Sequence, residues 1–270
     1  MGLRPVSSRP RFRLSRVRIA GLLIGLAIAA PASAGQCSAR SGTQTAALVE
    51  LYTSEGCSSC PPADRWLSSL GSQGYVPGRV VPIALHVDYW DYIGWKDPYA
   101  KREFSLRQRK LTQLQRMALV YTPQVLLQGR DFRGWGSAAF DEAVANINAL
   151  QARANLRLDI VSQDAQGLRV AVAAELLQPV DMQEAVLYLA AYENRLESRV
   201  SAGENRGRTL SHDYVVLEWL GPFRFSGPKL QAERLLPLLP RAMPANSGVV
   251  GFVQNGRSAE VLQALMLAAC

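Results

Sequence analysis

Histidine and cysteine are scarce in this chain, with two and four residues among 270. A structural zinc site takes four such ligands, commonly as two close pairs. Here the one close pair is Cys57 and Cys60, while Cys37 and Cys270 stand far apart and His86 and His212 are isolated, so a zinc centre is disfavoured. Long hydrophobic runs are missing too. The run from Ile19 to Ala30 falls short of the roughly 20 residues needed to cross a bilayer, and no second run of that kind follows. Residues 1–34 contain no acid. They hold six of the 30 basic residues and none of the 22 acidic ones, so the remaining 24 against 22 carry a net charge of only +2. The overall +8 therefore gives no support to a nucleic-acid partner, and no nucleic-acid motif is present. No internal repeat or low-complexity tract stands out.

What residues 1–34 do contain is an address. Arg4, Arg9, Arg11, Arg13, Arg16 and Arg18 precede the apolar run, and Ala32-Ser33-Ala34 offers small residues where signal peptidase needs them. The expectation is a signal peptide over residues 1–34, cleavage near Ala34, and a periplasmic or secreted protein with no stable membrane anchor. Gln36 occupies the position where lipidation of Cys37 needs a small residue, and there is no twin-arginine pair. In an oxidising compartment an even cysteine count invites pairing. The local pair leaves Cys37 to meet Cys270 in a structural disulfide, the alternative being two free thiols.

About 236 residues follow the leader, which suits two domains of ~100–150 residues each. In the first stretch, Gln44 to Tyr52 reads as a buried strand, Ala63 to Leu70 as a helix, and Val80 to Val87 as a second apolar strand. Asp97-Pro98 carries an N-cap and first-turn signal for a helix running to about Leu119. A strand Gln124 to Gln128, a turn, a short strand Asp131 to Arg133 and a helix from Ser137 to about Leu150 complete a β-α-β-α-β-β-α order. After about Asn155 the pattern becomes alternation, as in Leu168-Arg169-Val170-Ala171-Val172, and predicts a mainly β, sandwich-like domain over residues 155–270.

The most informative motif is Ser54-Glu55-Gly56-Cys57-Ser58-Ser59-Cys60-Pro61-Pro62, at a strand-to-helix junction. Two thiols at this spacing can close a disulfide and open it again. A helix N-terminus carries roughly half a positive charge, which favours thiolate and assigns attack to Cys57, as the more exposed residue, and resolution to Cys60. Glu55, if near in space, would oppose thiolate formation. Three readings stay open: a redox-active pair, a structural disulfide, or a metal site, with Cu(I) the metal that accepts two thiolates and His86 an available third ligand. His86 has a plainer reading as a buried residue satisfied by a carboxylate or the backbone, against a proton carrier or ligand. His212, at the start of a predicted strand, carries the weaker functional signal of the two.

The ordered elements, with the dithiol at the first strand-to-helix junction and Thr122-Pro123 before the third strand, resemble the thioredoxin fold. That resemblance implies an α/β thioredoxin-like domain over residues 42–152, with Pro123 cis beside the cysteine pair and Thr122 presenting backbone to a substrate. A more specific resemblance rests on Leu51-Tyr52-Thr53-Ser54-Glu55-Gly56-Cys57, His86-Val87-Asp88-Tyr89-Trp90-Asp91-Tyr92-Ile93-Gly94-Trp95, Tyr121-Thr122-Pro123-Gln124 and Gly203-Glu204-Asn205-Arg206-Gly207-Arg208. These strings are similar to those of a secreted bacterial family known as domain of unknown function 1223, which implies a thioredoxin-like domain with no settled activity.

Other stretches yield expectations of their own. Tyr89, Trp90, Tyr92, Trp95 and Tyr99, interleaved with acids, either line a substrate groove, with Tyr89 and Trp90 the binding candidates, or pack onto the second domain. The basic run Lys101, Arg102, Arg107, Arg109, Lys110 and Arg116 reads as a solvated helix face. The Gly203–Arg208 loop reads most simply as a strand connection, and otherwise as a cover over the dithiol.

The functional expectation is an envelope thiol-disulfide oxidoreductase using Cys57 and Cys60, acting on a thiol or disulfide-bearing protein or a small thiol, with no cofactor required. The alternative is a non-catalytic thioredoxin-like binding module for a peptide, a partner protein or Cu(I). No heptad or exposed apolar helix face defines an oligomeric state.

Overall fold

The computed structural model describes residues 1–3, 37–164, 166–239 and 243–270. The signal peptide expected over residues 1–34 lies outside them, save for its first three residues. The elements are β1 (Ser38–Arg40), β2 (Ala47–Thr53), α1 (Pro61–Ser69), β3 (Val80–His86), α2 (Arg102–Leu114), β4 (Gln124–Leu127), β5 (Arg130–Asp131) and α3 (Ala138–Asn148). They continue with β6 (Ala154–Asp164), β7 (Gly167–Leu176), β8 (Ala185–Glu193), β9 (Leu196–Arg199), β10 (Thr209–His212), β11 (Val215–Arg224), β12 (Lys229–Leu236), β13 (Ser247–Asn255) and β14 (Val261–Ala268).

β2, β3 and β8 are buried along their whole length, so both faces of the sheet that holds them must be covered. The period of two in a strand divides each of them between two cores. Ala47, Val49 and Leu51 of β2 meet Leu67 of α1 and Phe140 and Val144 of α3. Leu48 and Tyr52 point the other way, toward Phe104 and Leu111 of α2. On β8, Val186, Tyr188, Ala190 and Tyr192 join that second core. Leu187, Leu189 and Ala191 instead meet Leu156, Leu158, Val170 and Val172 from a four-stranded sheet ordered β1-β6-β7-β12.

The expected fold class, an α/β thioredoxin-like domain followed by a separate sandwich-like domain, is corrected here. The chain is mostly β, and strands from both expected halves form one eight-stranded sheet ordered β14-β13-β8-β11-β3-β2-β4-β5. β11 pairs parallel to β3 and antiparallel to β8, and Gly35–Cys270 is a single unit. The physical reason lies at the edge of β3. A buried strand cannot leave its outer row of amides and carbonyls unpaired, and Ala84 N–H donates to Tyr214 O at 2.8 Å. Sequence periodicity shows that such an edge must be filled, but not by which strand.

Two local expectations also change. α2 starts at Arg102 rather than Asp97: the Asp97 carboxylate accepts from Tyr99 N–H and caps only the turn to Ala100, after which Lys101 is extended and gives its N–H to His86 O at 3.1 Å. Arg107, expected on a solvated face, points inward and is 8% exposed, bound to Glu50. Cys37 and Cys270 are joined by a disulfide with a Cα–Cα distance of 5.7 Å, linking the start of β1 to the end of β14. Among the described residues no helix is long and apolar enough to cross a membrane.

Candidate functional site

β2 runs out at Thr53, and the chain turns through Ser54–Cys60 before α1. Ser54 makes the turn: its Oγ accepts from Gly56 N–H at 3.1 Å and its carbonyl from Cys57 N–H at 3.2 Å. Cys57 and Cys60 are joined by a disulfide, Cα–Cα 5.5 Å. Cys60 is the N-cap of α1, followed by Pro61 and Pro62. Neither proline has an amide, and the N–H groups of Ala63 and Asp64 are taken by Cys60 O at 2.9 and 3.1 Å. The helix dipole therefore acts on the sulfurs without a free amide aimed at them. Cys57 and Cys60 are both 0% exposed, so the expected greater exposure of Cys57 does not hold. Only Ser58 and Ser59, between them, reach solvent.

The tip of the β9–β10 hairpin is bound to this turn. The Asn205 side-chain amide donates to Glu55 O at 2.8 Å and to Cys57 O at 2.9 Å, and Ser58 N–H donates to Glu204 Oε2 at 2.9 Å. Gly203, with φ of +73°, lets the tip fold this closely: a Cβ there would lie 2.9 Å from Ile93 Cδ1. The Gly203–Arg208 loop is thus more than a strand connection. It clasps the turn that carries the disulfide.

Beneath this turn lies a buried cluster of acids and histidines. Glu55 turns its carboxylate inward, accepting from Trp95 Nε1 at 2.8 Å and meeting His212 Nε2 at 3.0 Å. His212 Nδ1 lies 3.9 Å from Asp64 Oδ2, and Asp64 accepts from Thr53 Oγ1 at 2.8 Å. The His86 and His212 rings meet edge to face, 4.9 Å between centroids, and Tyr99 borders both. Burial disfavours a charged His86, but the Asp97 carboxylate 2.7 Å from Nδ1 outweighs it and raises the imidazole to about 8. Burial likewise works against the Asp97 carboxylate, yet His86 and the two amides hold it below the ordinary value. Asp64 is shifted upward by its burial, with the two histidines opposing. His86 Nε2 and His212 Nδ1 have no hydrogen-bond partner.

A consequence for stability follows from His86. Its folded value of about 8 lies above the ordinary 6.5, so its contribution is fully present below pH 6.5 and is lost as pH rises through 8. The gap corresponds to about 2 kcal/mol. Urea unfolding between pH 6 and 9 is expected to show this loss in the wild type and not in His86→Asn. Equal pH profiles would remove His86 as the cause.

The other candidates flank the turn. Trp90 Nε1 donates to Thr122 Oγ1 at 2.7 Å, and its Cβ packs where a Cβ on Gly56 would come within 3.0 Å. Tyr89 donates from its hydroxyl to Gln108 Oε1 at 3.1 Å. The Thr122–Pro123 bond is cis. Pro123 lines a groove of about 300 Å³ with Leu119, Tyr121, Arg133 and Trp135. Among the described residues no three His, Cys, Asp or Glu side chains are grouped to hold a metal ion.

Sequence reasoning gave His212 the lesser role, read Asp97 as a helix cap, and singled out neither Asp64 nor Asn205. One signal was available: the only two histidines of a 270-residue chain each follow an apolar or small residue and precede an acid within two positions, yet nothing in their 126-residue separation says that their rings touch.

No curated protein matches the chain. Among solved structures it is similar to the crystal structure of protein AGR_C_4864 from Agrobacterium tumefaciens, at 24% identity and a TM-score of 0.63, over 85% of this chain and 97% of that one. It is also similar to HBP35 of Porphyromonas gingivalis, at 14% identity and a TM-score of 0.63, over 84% of this chain and 76% of that one. Both likenesses concern the fold. A family model described as "Protein of unknown function (DUF1223)" matches residues 48–254, and the chain belongs to that family.

Proposed function

We propose that this protein is a thiol-disulfide oxidoreductase of the cell envelope or exterior, working through Cys57 and Cys60 after its leader is removed near Ala34. The observation that carries this reading is the buried cluster of Glu55, Asp64, His86, Asp97 and His212, which joins the turn that holds the disulfide at Glu55 and α1 at Asp64. A disulfide that only staples a turn gains nothing from three buried carboxylates and two buried imidazoles, whose desolvation is costly. Such groups concentrate where protons or charge are handled.

In the reductive direction, a substrate thiolate attacks Cys57 Sγ and the Cys60 sulfur leaves with the bonding pair as a thiolate. A second thiolate then attacks the substrate sulfur of the mixed disulfide, releasing Cys57 and an oxidised substrate disulfide. Two substrate thiols supply both electrons. In the reverse direction Cys57 thiolate attacks a substrate disulfide and Cys60 resolves the intermediate. The substrate is a small thiol or a protein bearing a thiol or disulfide, and its docking place in this reading is the side of the turn formed by Trp90, Thr122 and Pro123.

A second reading draws on the full burial of Cys57 and Cys60: a non-catalytic binding module, either for a peptide or a partner protein with the disulfide purely structural, or for Cu(I) on the two thiolates of the reduced pair. One titration separates the two. The purified protein is equilibrated in a glutathione redox series, alkylated, and mapped by mass at Cys57 and Cys60. A reversible two-electron transition, with turnover lost in the Cys57→Ser/Cys60→Ser variant, is the expected result. A pair that stays oxidised below about −300 mV would overturn the oxidoreductase and leave the binding module.

A further inference from the structure

His212 joins two environments. Its Nε2 meets Glu55 Oε1 at 3.0 Å, two residues before Cys57. The same ring borders a cleft of about 160 Å³, lined also by Pro61, Asp64, Arg65, Arg208 and Ser211. Although the His212 side chain is only 2% exposed, its Nδ1 has no hydrogen-bond partner, and the nearest acceptor is Asp64 Oδ2 at 3.9 Å. The ring can therefore receive a proton on a nitrogen that now holds no bond, with a carboxylate close enough to accept the new N–H after a small rotation.

The reduced pair needs such a group. Opening the disulfide creates a thiolate in a place with no exposure, and no Lys or Arg lies between Thr53 and Asp64. The groups facing His212 are Glu55 from the turn, Asp64 from α1, His86 from β3 with Asp97 bound behind it, and Tyr99 from the segment before α2, with Arg65 and Arg208 at the solvent rim. Glu55 and Asp97 are acceptors already engaged by donors, and His86 is held by Asp97. Buried charge is tolerated only when compensated.

We propose that His212 is the proton acceptor of the dithiol, taking up a proton by way of the Asp64 cleft when the disulfide opens, so that the thiolate left on the pair is balanced by an imidazolium. This rests on the thiol-disulfide reading and adds a residue to it. The step balances: two substrate thiols lose two electrons and two protons and leave as one disulfide. One proton stays on a cysteine sulfur, the other goes to His212, and the remaining sulfur keeps its charge. His212 touches Glu55 rather than the sulfurs in this structure, so it acts as a positioning and charge-balancing residue.

The test is the titration of both imidazoles by NMR in the oxidised protein and in the protein reduced by a water-soluble phosphine, with His86→Asn used to assign the two signals. His212 is expected to bind its proton at least tenfold more tightly after reduction. The Cys57→Ser/Cys60→Ser variant, in which the phosphine can open only Cys37–Cys270, is expected to show no such change. Equal His212 titration in the oxidised and reduced wild type would overturn the proposal, as would the same change in the double-serine variant. Because the phosphine opens the pair whether or not glutathione does, a protein that resists glutathione yet shows the His212 change refutes the oxidoreductase while leaving the proton coupling intact.

Discussion

Arg107→Ala is expected to cost the protein about 3–5 kcal/mol, the usual loss when one member of a buried ion pair is removed. Arg107 Nε donates to Glu50 Oε2 at 2.7 Å, and a terminal nitrogen donates to Glu50 Oε1 at 3.0 Å and to Gln254 Oε1 at 3.2 Å. The guanidinium also lies 4.9 Å from the ring centre of Tyr188, 4.8 Å from Trp219 and 5.3 Å from Phe252. One side chain of α2 thus binds β2, β8, β11 and β13, which are the strands that merge the two expected halves into one sheet. Its removal strands the Glu50 carboxylate, which is 0% exposed and would retain only the Tyr52 hydroxyl at 3.0 Å. The measurement is urea unfolding of Arg107→Ala beside Glu50→Met/Arg107→Met, which removes both charges and is expected to recover much of the loss. A cost below about 1 kcal/mol for the alanine variant would mean that water reaches Glu50 and that the pair is not a tie between the halves.

Asn205→Ala is expected to speed reduction of Cys57–Cys60 by roughly 30-fold. Asn205 holds two backbone carbonyls of the turn, those of Glu55 and Cys57, and hydrogen bonds of this kind contribute about 1 kcal/mol each. Losing both lowers the cost of lifting the hairpin tip by about 2 kcal/mol, and each 1.4 kcal/mol is a factor of ten in the open population. The readout is the pseudo-first-order rate of reduction by excess dithiothreitol, followed by alkylation and mass mapping. If the rate is unchanged, the sulfur is reached without movement of the Gly203–Arg208 loop, and the clasp has no bearing on exchange.

The candidate site was partly legible before folding. Cys57 and Cys60 announce themselves because their chemistry depends on short-range spacing, and the turn before α1 follows from Ser54, Gly56 and the two prolines. The clasp was not legible: Glu204 and Asn205 lie 146 and 148 residues from the backbone atoms of Ser58 and Cys57 that they bind. Asp97 misled for a physical reason as well. Asp followed by Pro is a good helix start in isolation, and Asp97 does cap a turn to Ala100, but Lys101 gives its N–H to His86 O on β3 and takes extended backbone before α2 begins. Arg107 belonged to a run whose other members suit a wet helix face, and only the aromatic rings brought together by β8, β11 and β13 make an interior place for it.

By itself, the sequence determined the local units of this protein: a dithiol turn between strand and helix, the short apolar strands, and the absence of a second close pair of cysteines or histidines. These depend on residue type and on spacings of two to four positions, which the chain carries wherever it folds. The tertiary structure alone decided that β11 enters beside β3, so that one sheet replaces two domains, and that the two histidines meet beside the Ser54–Cys60 turn with three carboxylates. Edge pairing and buried charge compensation are satisfied by whichever distant residues fill them, and several distant partners are chemically acceptable until the whole sheet selects one.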